Sequence, residues 1–296
     1  MKKKYVLTDE TITLDSGVVL HHIKAICSFG DVNEGDLGGW IEKEDNLSHE
    51  GDCWVYYNAR VYDNATVFNN AKVYDNAIVY GHAIVYGHAI VCDNAKVYGN
   101  ATVHNNAKVY DNAEIRDNTT VFGNAKVRDN SKVYGNAIVA GNAIVFDNAT
   151  VYDNAKVFNN VIICGHANVY DSAQIFDNVE ICGDAELQGN TVIRGNAVIQ
   201  SDKDYIVFKN WWSSGRYFTW TRSNNMWHVG CFYGTGKELI KKAYKDSRIS
   251  GREYKRIVKF VKNMLLREKI TNFFQKSLAY MKKKLYLCKK FKKNNV

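Results

Sequence analysis

The sequence predicts an all-β solenoid: about eight triangular coils of a parallel β-helix, with a β cap before them and a small α+β module after them. Three observations carry this. Val, Ile or Leu recurs at every sixth position from Val55 to Ile199, which makes 25 hexads. Asn occupies the fourth position of 19 of the 24 hexads from Asn58 to Asn196, and the next residue is nearly always Ala. The run contains no proline and no insertion. A fixed short period of this kind marks a stacked repeat, in which each unit buries its apolar row only against its neighbours.

Within a hexad the chain alternates before it turns. Ala59 and Val61 point inward while Arg60 and Tyr62 point outward, as the period of two in a strand requires. Asp63 and Asn64 turn the corner. Asn is expected to hold the left-handed backbone angle there, because it tolerates that region better than most non-glycine residues. Stacked Asn amides are also expected to bond from coil to coil. Three hexads per coil at a strand spacing of about 4.8 Å give a rod roughly 40 Å long.

The pattern [Leu/Ile/Val]-x-x-Asn-[small]-x resembles the left-handed parallel β-helix of the hexapeptide-repeat superfamily, which holds many trimeric acyltransferases and also non-catalytic proteins. The entry segment, Gly38-Gly39-Trp40-Ile41, Asn46-Leu47-Ser48 and Gly51-Asp52-Cys53-Trp54-Val55, is similar to that of enterobacterial hexapeptide-repeat proteins assigned as acetyltransferases. Similar proteins occur in phage and gut-bacterial genomes. The resemblance implies a homotrimer and, if catalysis is retained, acetyl-CoA as donor. The fold alone does not decide the activity.

Residues 1–54 read as the N-terminal cap, with strands around Tyr5–Thr8 and Val18–Ile23 and a glycine-permitted loop through Gly38, Gly39 and Trp40. Residues 55–200 are the rod. Its outward rows are sorted by taking every third hexad. One side is a tyrosine ladder (Tyr62, Tyr80, Tyr98), one is richer in phenylalanine (Phe68, Phe122, Phe158), and the third carries Cys92, Cys164 and Cys182. Such rows either stack on themselves or form a flat partner surface, with homotrimerisation the first candidate.

An acyltransferase of this kind would use a histidine general base. His82, His88 and His166 replace the corner Asn, and His104 lies on a face. The three corner histidines fall on three different corners, so only a neighbouring subunit could bring His82 or His88 to a shared groove. No inserted loop builds an acceptor pocket.

Residues 201–269 read as a β-β-β-α-α module. Thr235-x-x-Glu238 and Ser250-x-x-Glu253 both have the form of capping boxes, placing helices at about 236–247 and 251–268. Trp211, Trp212, Arg216, Trp220 and Arg222 make an aromatic and arginine-rich cluster, suited either to stacking bases and gripping phosphates or to capping the rod. Strand alternation puts Arg216, Phe218, Trp220 and Arg222 on one face.

Residues 270–296 read as a basic amphipathic tail, with Phe273, Phe274, Leu278 and Met281 at helical spacing among lysines that include Lys282, Lys283 and Lys284. The net charge of +8 hides a segregation. Residues 237–296 carry 20 Lys and Arg against 4 acids, a balance of +16, so the other 236 residues stand at −8. The basic end implies an anionic partner: nucleic acid, an acidic protein or a membrane surface. Seven cysteines without a C-x-x-C pair, and a start (MKKKYVLTDE) without an apolar core, predict a reducing cytoplasmic setting in which Cys164 and Cys182 are packed thiols. The leading function is therefore a non-catalytic scaffold of phage or mobile-element type that needs no cofactor. The alternative is an acyltransferase using acetyl-CoA.

Overall fold

The computed structural model describes residues 3–293 of the chain, and side chains as far as residue 284. Residues up to Lys209, with Arg216–Tyr233, form one compact unit; Asn210–Gly215 and the residues from Gly234 onward form a second.

The first unit opens with strands β1 (Tyr5–Thr13), β2 (Val19–Ala25) and β3 (Leu37–Ile41). Twenty-five two-residue strands follow, β4 (Trp54–Val55) through β28 (Val198–Ile199). The rod strands pair in parallel with partners 18 residues away, as in Lys96↔Glu114 and Val97↔Ile115, so three hexads make one coil. The result is a parallel β-solenoid with three flat faces, and nine rod strands lie on the face that begins at β4. Coil-to-coil backbone bonds repeat along the rod; in one hexad Lys96 N, Tyr98 N and Asn100 N donate to Ala113, Ile115 and Asp117 carbonyls at 2.8–2.9 Å.

The two inward positions are closed to water. Ala95, Val97, Ala101 and Val103 are each 0% exposed, and the same holds along the rod in one continuous core. Where the small inward residue is Thr119, Ser131 or Thr191, its hydroxyl donates to the carbonyl three residues earlier at 2.5–2.6 Å. The polar group is thereby satisfied inside an apolar column.

The corner departs from the sequence expectation. Positive φ falls on the third hexad position, on Asp63, Asp111 and Asp129 at 57–59° or on glycine, and not on the Asn that follows. The carboxylate of that Asp accepts the backbone N–H of its counterpart one coil on, as Asp129 N to Asp111 Oδ2 at 3.2 Å. The fourth-position Asn forms the amide ladder instead, with Asn94→Asn112→Asn130 at 3.3–3.4 Å. The two corner residues thus divide the work: one takes the strained dihedral and accepts the next coil's backbone N–H, the other forms the side-chain ladder.

Both ends of the rod are closed. At the first coil β3 pairs in parallel with the rod, Trp40 against Arg60 and Ile41 against Val61. Gly38-Gly39-Trp40 is therefore strand, where the sequence predicts loop. The glycines serve close packing: a Cβ on Gly38 would lie 2.6 Å from Trp54 Cζ2, and one on Gly39 2.6 Å from the Ala59 carbonyl. Buried Lys4 donates to the Gly51 and Cys53 carbonyls at 3.1 and 2.9 Å.

At the last coil, strands β26 (Glu186–Leu187), β27 (Val192–Ile193) and β28 have no further coil to receive their N–H groups. Side-chain oxygens replace it on all three faces. Glu186 N donates to Asp202, Val192 N to Thr219 Oγ1 and Val198 N to Ser223 Oγ, at 2.9, 3.3 and 2.8 Å. Exposed sheet edges invite edge-to-edge pairing, and these caps prevent it.

Four antiparallel strands, one more than the sequence predicts, follow in chain order: β29 (Tyr205–Lys209), β30 (Tyr217–Thr221), β31 (Met226–Val229) and β32 (Phe232–Thr235). Helix α1 spans Gly236–Asp246, capped by Thr235 and Glu238 as expected. Helix α2 runs unbroken over Arg248–Lys293. Its cap is Ser247, whose Oγ accepts Ser250 N at 3.0 Å, so Ser250 lies within the helix and the second predicted capping box is not formed. No helix among the described residues is long and apolar enough to cross a membrane.

Candidate functional site

The outward aromatic rows stack along the rod. Tyr62, Tyr80 and Tyr98 follow one another at ring centroids 5.2 and 4.8 Å, and Tyr134, Tyr152 and Tyr170 at 4.9 Å. Between the two runs Arg116 takes the place of a ring, its guanidinium 4.1 Å over Tyr134 and its Nε 3.3 Å from Glu114. Cross-strand stacking of this kind stabilises a sheet.

His104 belongs to such a stack. Its ring lies parallel to Tyr86 at 4.8 Å and to Phe122 at 5.0 Å. His82 and His88 are exposed at two different corners, where they replace an Asn in the ladders. The structure does not bring these three histidines together within one chain.

Cys164 and Cys182 are joined in a disulfide, where the sequence predicts two packed thiols. Occupying the same position in successive coils sets their Cα atoms 4.6 Å apart, within bridging range. Cys92 on the same face remains a thiol, pushed up to about 12 by burial and by the carboxylate of Asp93.

The predicted aromatic and arginine cluster is divided. Trp211 and Trp212 belong to the second unit, while Arg216, Trp220 and Arg222 belong to the first. Trp220 is fully buried, its indole N–H donating to Asn225 at 2.9 Å, and Phe218 beside it is 1% exposed. Trp220 is therefore core, not part of an exposed binding face: the sheet needs an apolar layer, and β30 supplies it. Arg222 donates to the Lys203 carbonyl at 2.9 Å and lies 3.8 Å from Asp204. Arg216 is exposed and Trp211 is 75% exposed. Trp212 meets Tyr254 edge-on at 5.0 Å, and the Tyr254 hydroxyl accepts from Asn210 at 3.0 Å. Lys282, Lys283 and Lys284 are exposed on α2.

One groove was not anticipated. At the end of the phenylalanine-rich face, Gln174, Phe176, Asp177, Arg194 and His228 line a cavity of about 340 Å³. Arg194 Nε meets Asp177 at 3.3 Å, and the same carboxylate oxygen accepts Gly195 N at 3.1 Å. Burial, and secondarily the Arg194 charge, pushes His228 down to about 4. The imidazole is therefore held neutral at neutral pH, as a weak proton acceptor. The sequence signal was slight: His228 follows buried Trp227, so strand alternation turns it to the opposite side.

An uninterrupted parallel solenoid built from [Leu/Ile/Val]-x-x-Asn-[small]-x units fits a hexapeptide-repeat-like superfamily. Residues 59–73 and 71–87 match the family described as the YdcK β-solenoid repeat. The chain is also similar to the uncharacterized acetyltransferase YdcK of Escherichia coli (strain K12), with 39% identity over 61 residues. That match covers 18% of this chain and 19% of the relative's length.

Proposed function

We propose that the protein is a non-catalytic scaffold of phage or mobile-element type, acting in the cytoplasm, whose rod offers a rigid surface for self-association and whose basic C-terminal helix engages an anionic partner. One observation carries this reading: residues 237–296 hold 20 Lys and Arg against 4 acids, and the chain has no acid after Glu268. The rod adds support. Its outward rings stack on one another and its coils run without an inserted loop, so it is stiff, and its caps block end-to-end growth.

The test uses the full chain and heparin as a generic polyanion. Salt-sensitive binding that falls sharply in the Lys282→Glu/Lys283→Glu/Lys284→Glu variant is the expected result. Binding unaffected by these changes would overturn the anionic-partner reading. Light scattering of the same sample gives the subunit number, with a trimer expected.

A second reading, an acyltransferase using acetyl-CoA, is favoured by two observations: the similarity to a protein named as an acetyltransferase, and the neutral His228 beside Arg194 in an open groove. On that reading His228 joins His82, His88 and His104 as a candidate, since it lines a groove beside Arg194. Calorimetry with acetyl-CoA separates the two. Silence is expected, and micromolar binding lost in His228→Gln would favour the enzyme.

A further inference from the structure

Among the described residues the second unit exposes an apolar row. On α2, Ile270, Phe273, Phe274, Leu278, Tyr280 and Met281 are 47–68% exposed. At 100° per residue they occupy an arc about 160° wide. Lys276 and Lys282 lie just outside its two edges, Lys283 lies on the opposite side, and Lys284 falls within the row near its C-terminal end. Residues 269–296 contain no Asp or Glu, and residues 270–296 contain eight lysines.

Charge decides what covers this row. A second copy of this segment would bring lysine against lysine with no acid of its own to offset it, in either orientation. A nucleic-acid duplex would use the lysines but leave six large apolar side chains in water. An anionic lipid surface uses both: headgroup phosphates take the lysines while the apolar row enters the acyl boundary. The segment is too charged to span the bilayer, which leaves it lying in the plane of the interface.

We infer that the C-terminal part of α2 is an in-plane anchor for an anionic lipid surface. This rests on the anionic-partner reading above and names the partner. Phe273 and Phe274 are the insertion anchors, and the lysine cluster at 282–284 supplies the attraction. A long amphipathic helix with a basic polar side binds through these two contributions jointly, and either alone is weak.

The experiment is co-sedimentation of the full chain with vesicles of phosphatidylcholine alone, or with roughly a third phosphatidylserine. A short single-stranded oligonucleotide is measured in parallel by anisotropy. Phe273→Ser/Phe274→Ser and Lys282→Glu/Lys283→Glu/Lys284→Glu alter only exposed positions, and circular dichroism checks that both variants fold. The inference expects binding to the anionic vesicles, a loss on the order of tenfold for the serine pair and on the order of a hundredfold for the charge reversal. Vesicle binding indifferent to the serine pair would overturn insertion while leaving an anionic partner in place. Oligonucleotide binding without vesicle binding would likewise overturn the lipid assignment but preserve the broader reading. If the chain bound neither probe, both would fail.

Discussion

Replacing Asp111 and its neighbour Asn112 separates the two jobs at a corner. Asp111 sits at φ 58° and accepts Asp129 N at 3.2 Å. Alanine at that angle costs about 1–2 kcal/mol of backbone strain, and the lost bond removes about 1 kcal/mol more. Asp111→Ala should therefore cost about 2–3 kcal/mol. Glycine takes the angle freely and loses only the bond, so Asp111→Gly should cost about 1 kcal/mol. Asn112 is exposed, and its two ladder bonds are long, at 3.3 and 3.4 Å. Asn112→Ala should cost about 1 kcal/mol or less. Urea unfolding followed by circular dichroism reads all three. Because a solenoid can unfold from one end, the midpoint of each resolved step is compared, not one fitted total. If Asn112→Ala proved worse than Asp111→Ala, or if glycine were no better than alanine at 111, the division of work would be refuted.

Further outcomes follow from other sites. Trp220→Ala should destabilise the first unit by about 3–5 kcal/mol, whereas Trp211→Ala at an exposed position should stay within about 0.5 kcal/mol; the same urea series compares them. His228 has a folded-state value of about 4 against the ordinary 6.5, so its contribution is fully present above pH 6.5 and is lost as pH falls towards 4. Wild type should lose about 1–3 kcal/mol more than His228→Gln across that window, and an imidazole resonance should titrate near 4. With Cys164 and Cys182 bridged, the reduced chain should show two more reactive thiols than the denatured, unreduced chain. The bridge closes a loop of 18 residues, and Cys164→Ser/Cys182→Ser should lower stability by at most about 3 kcal/mol.

The rod was legible because every hexad repeats the same local instruction. Val97, Ala95 and their equivalents are all buried where the period of two puts them, and neighbouring hexads agree. The corner was read one residue out of place. Asp and Asn both tolerate the left-handed region, so composition alone could not say which of Asp111 and Asn112 adopts it. The ends were harder, since their roles depend on partners far away in sequence. Gly38 and Gly39 look like turn residues until Trp54 and the Ala59 carbonyl are seen against them. Ser250 and Ser247 both precede helical sequence, and the backbone chose the earlier one. Trp220 has an arginine two residues after it, which suggested exposure, yet β30 turns it inward. His228 carried no motif, and its environment comes from Arg194 and Phe176 more than thirty residues earlier.

A repeating rod places strong constraints on function. Inward positions are committed to the core and corner positions to coil contacts, so specific chemistry has to come from departures from the repeat or from its ends. Most departures along the rod are structural substitutions. His104 stacks as an aromatic would, Arg116 continues a row of rings, and Thr119 and Ser131 satisfy themselves against the backbone. His82 and His88 only interrupt ladders at separate corners. What remains lies towards the C-terminus: the His228 groove beside the last coils, and a helix whose last turns expose lysines and an apolar row among the described residues. The groove could serve chemistry on a small molecule, but its one charged guanidinium is already paired with Asp177. The segment beyond residue 269 has eight lysines and no acid of its own, so an external anion has the stronger claim.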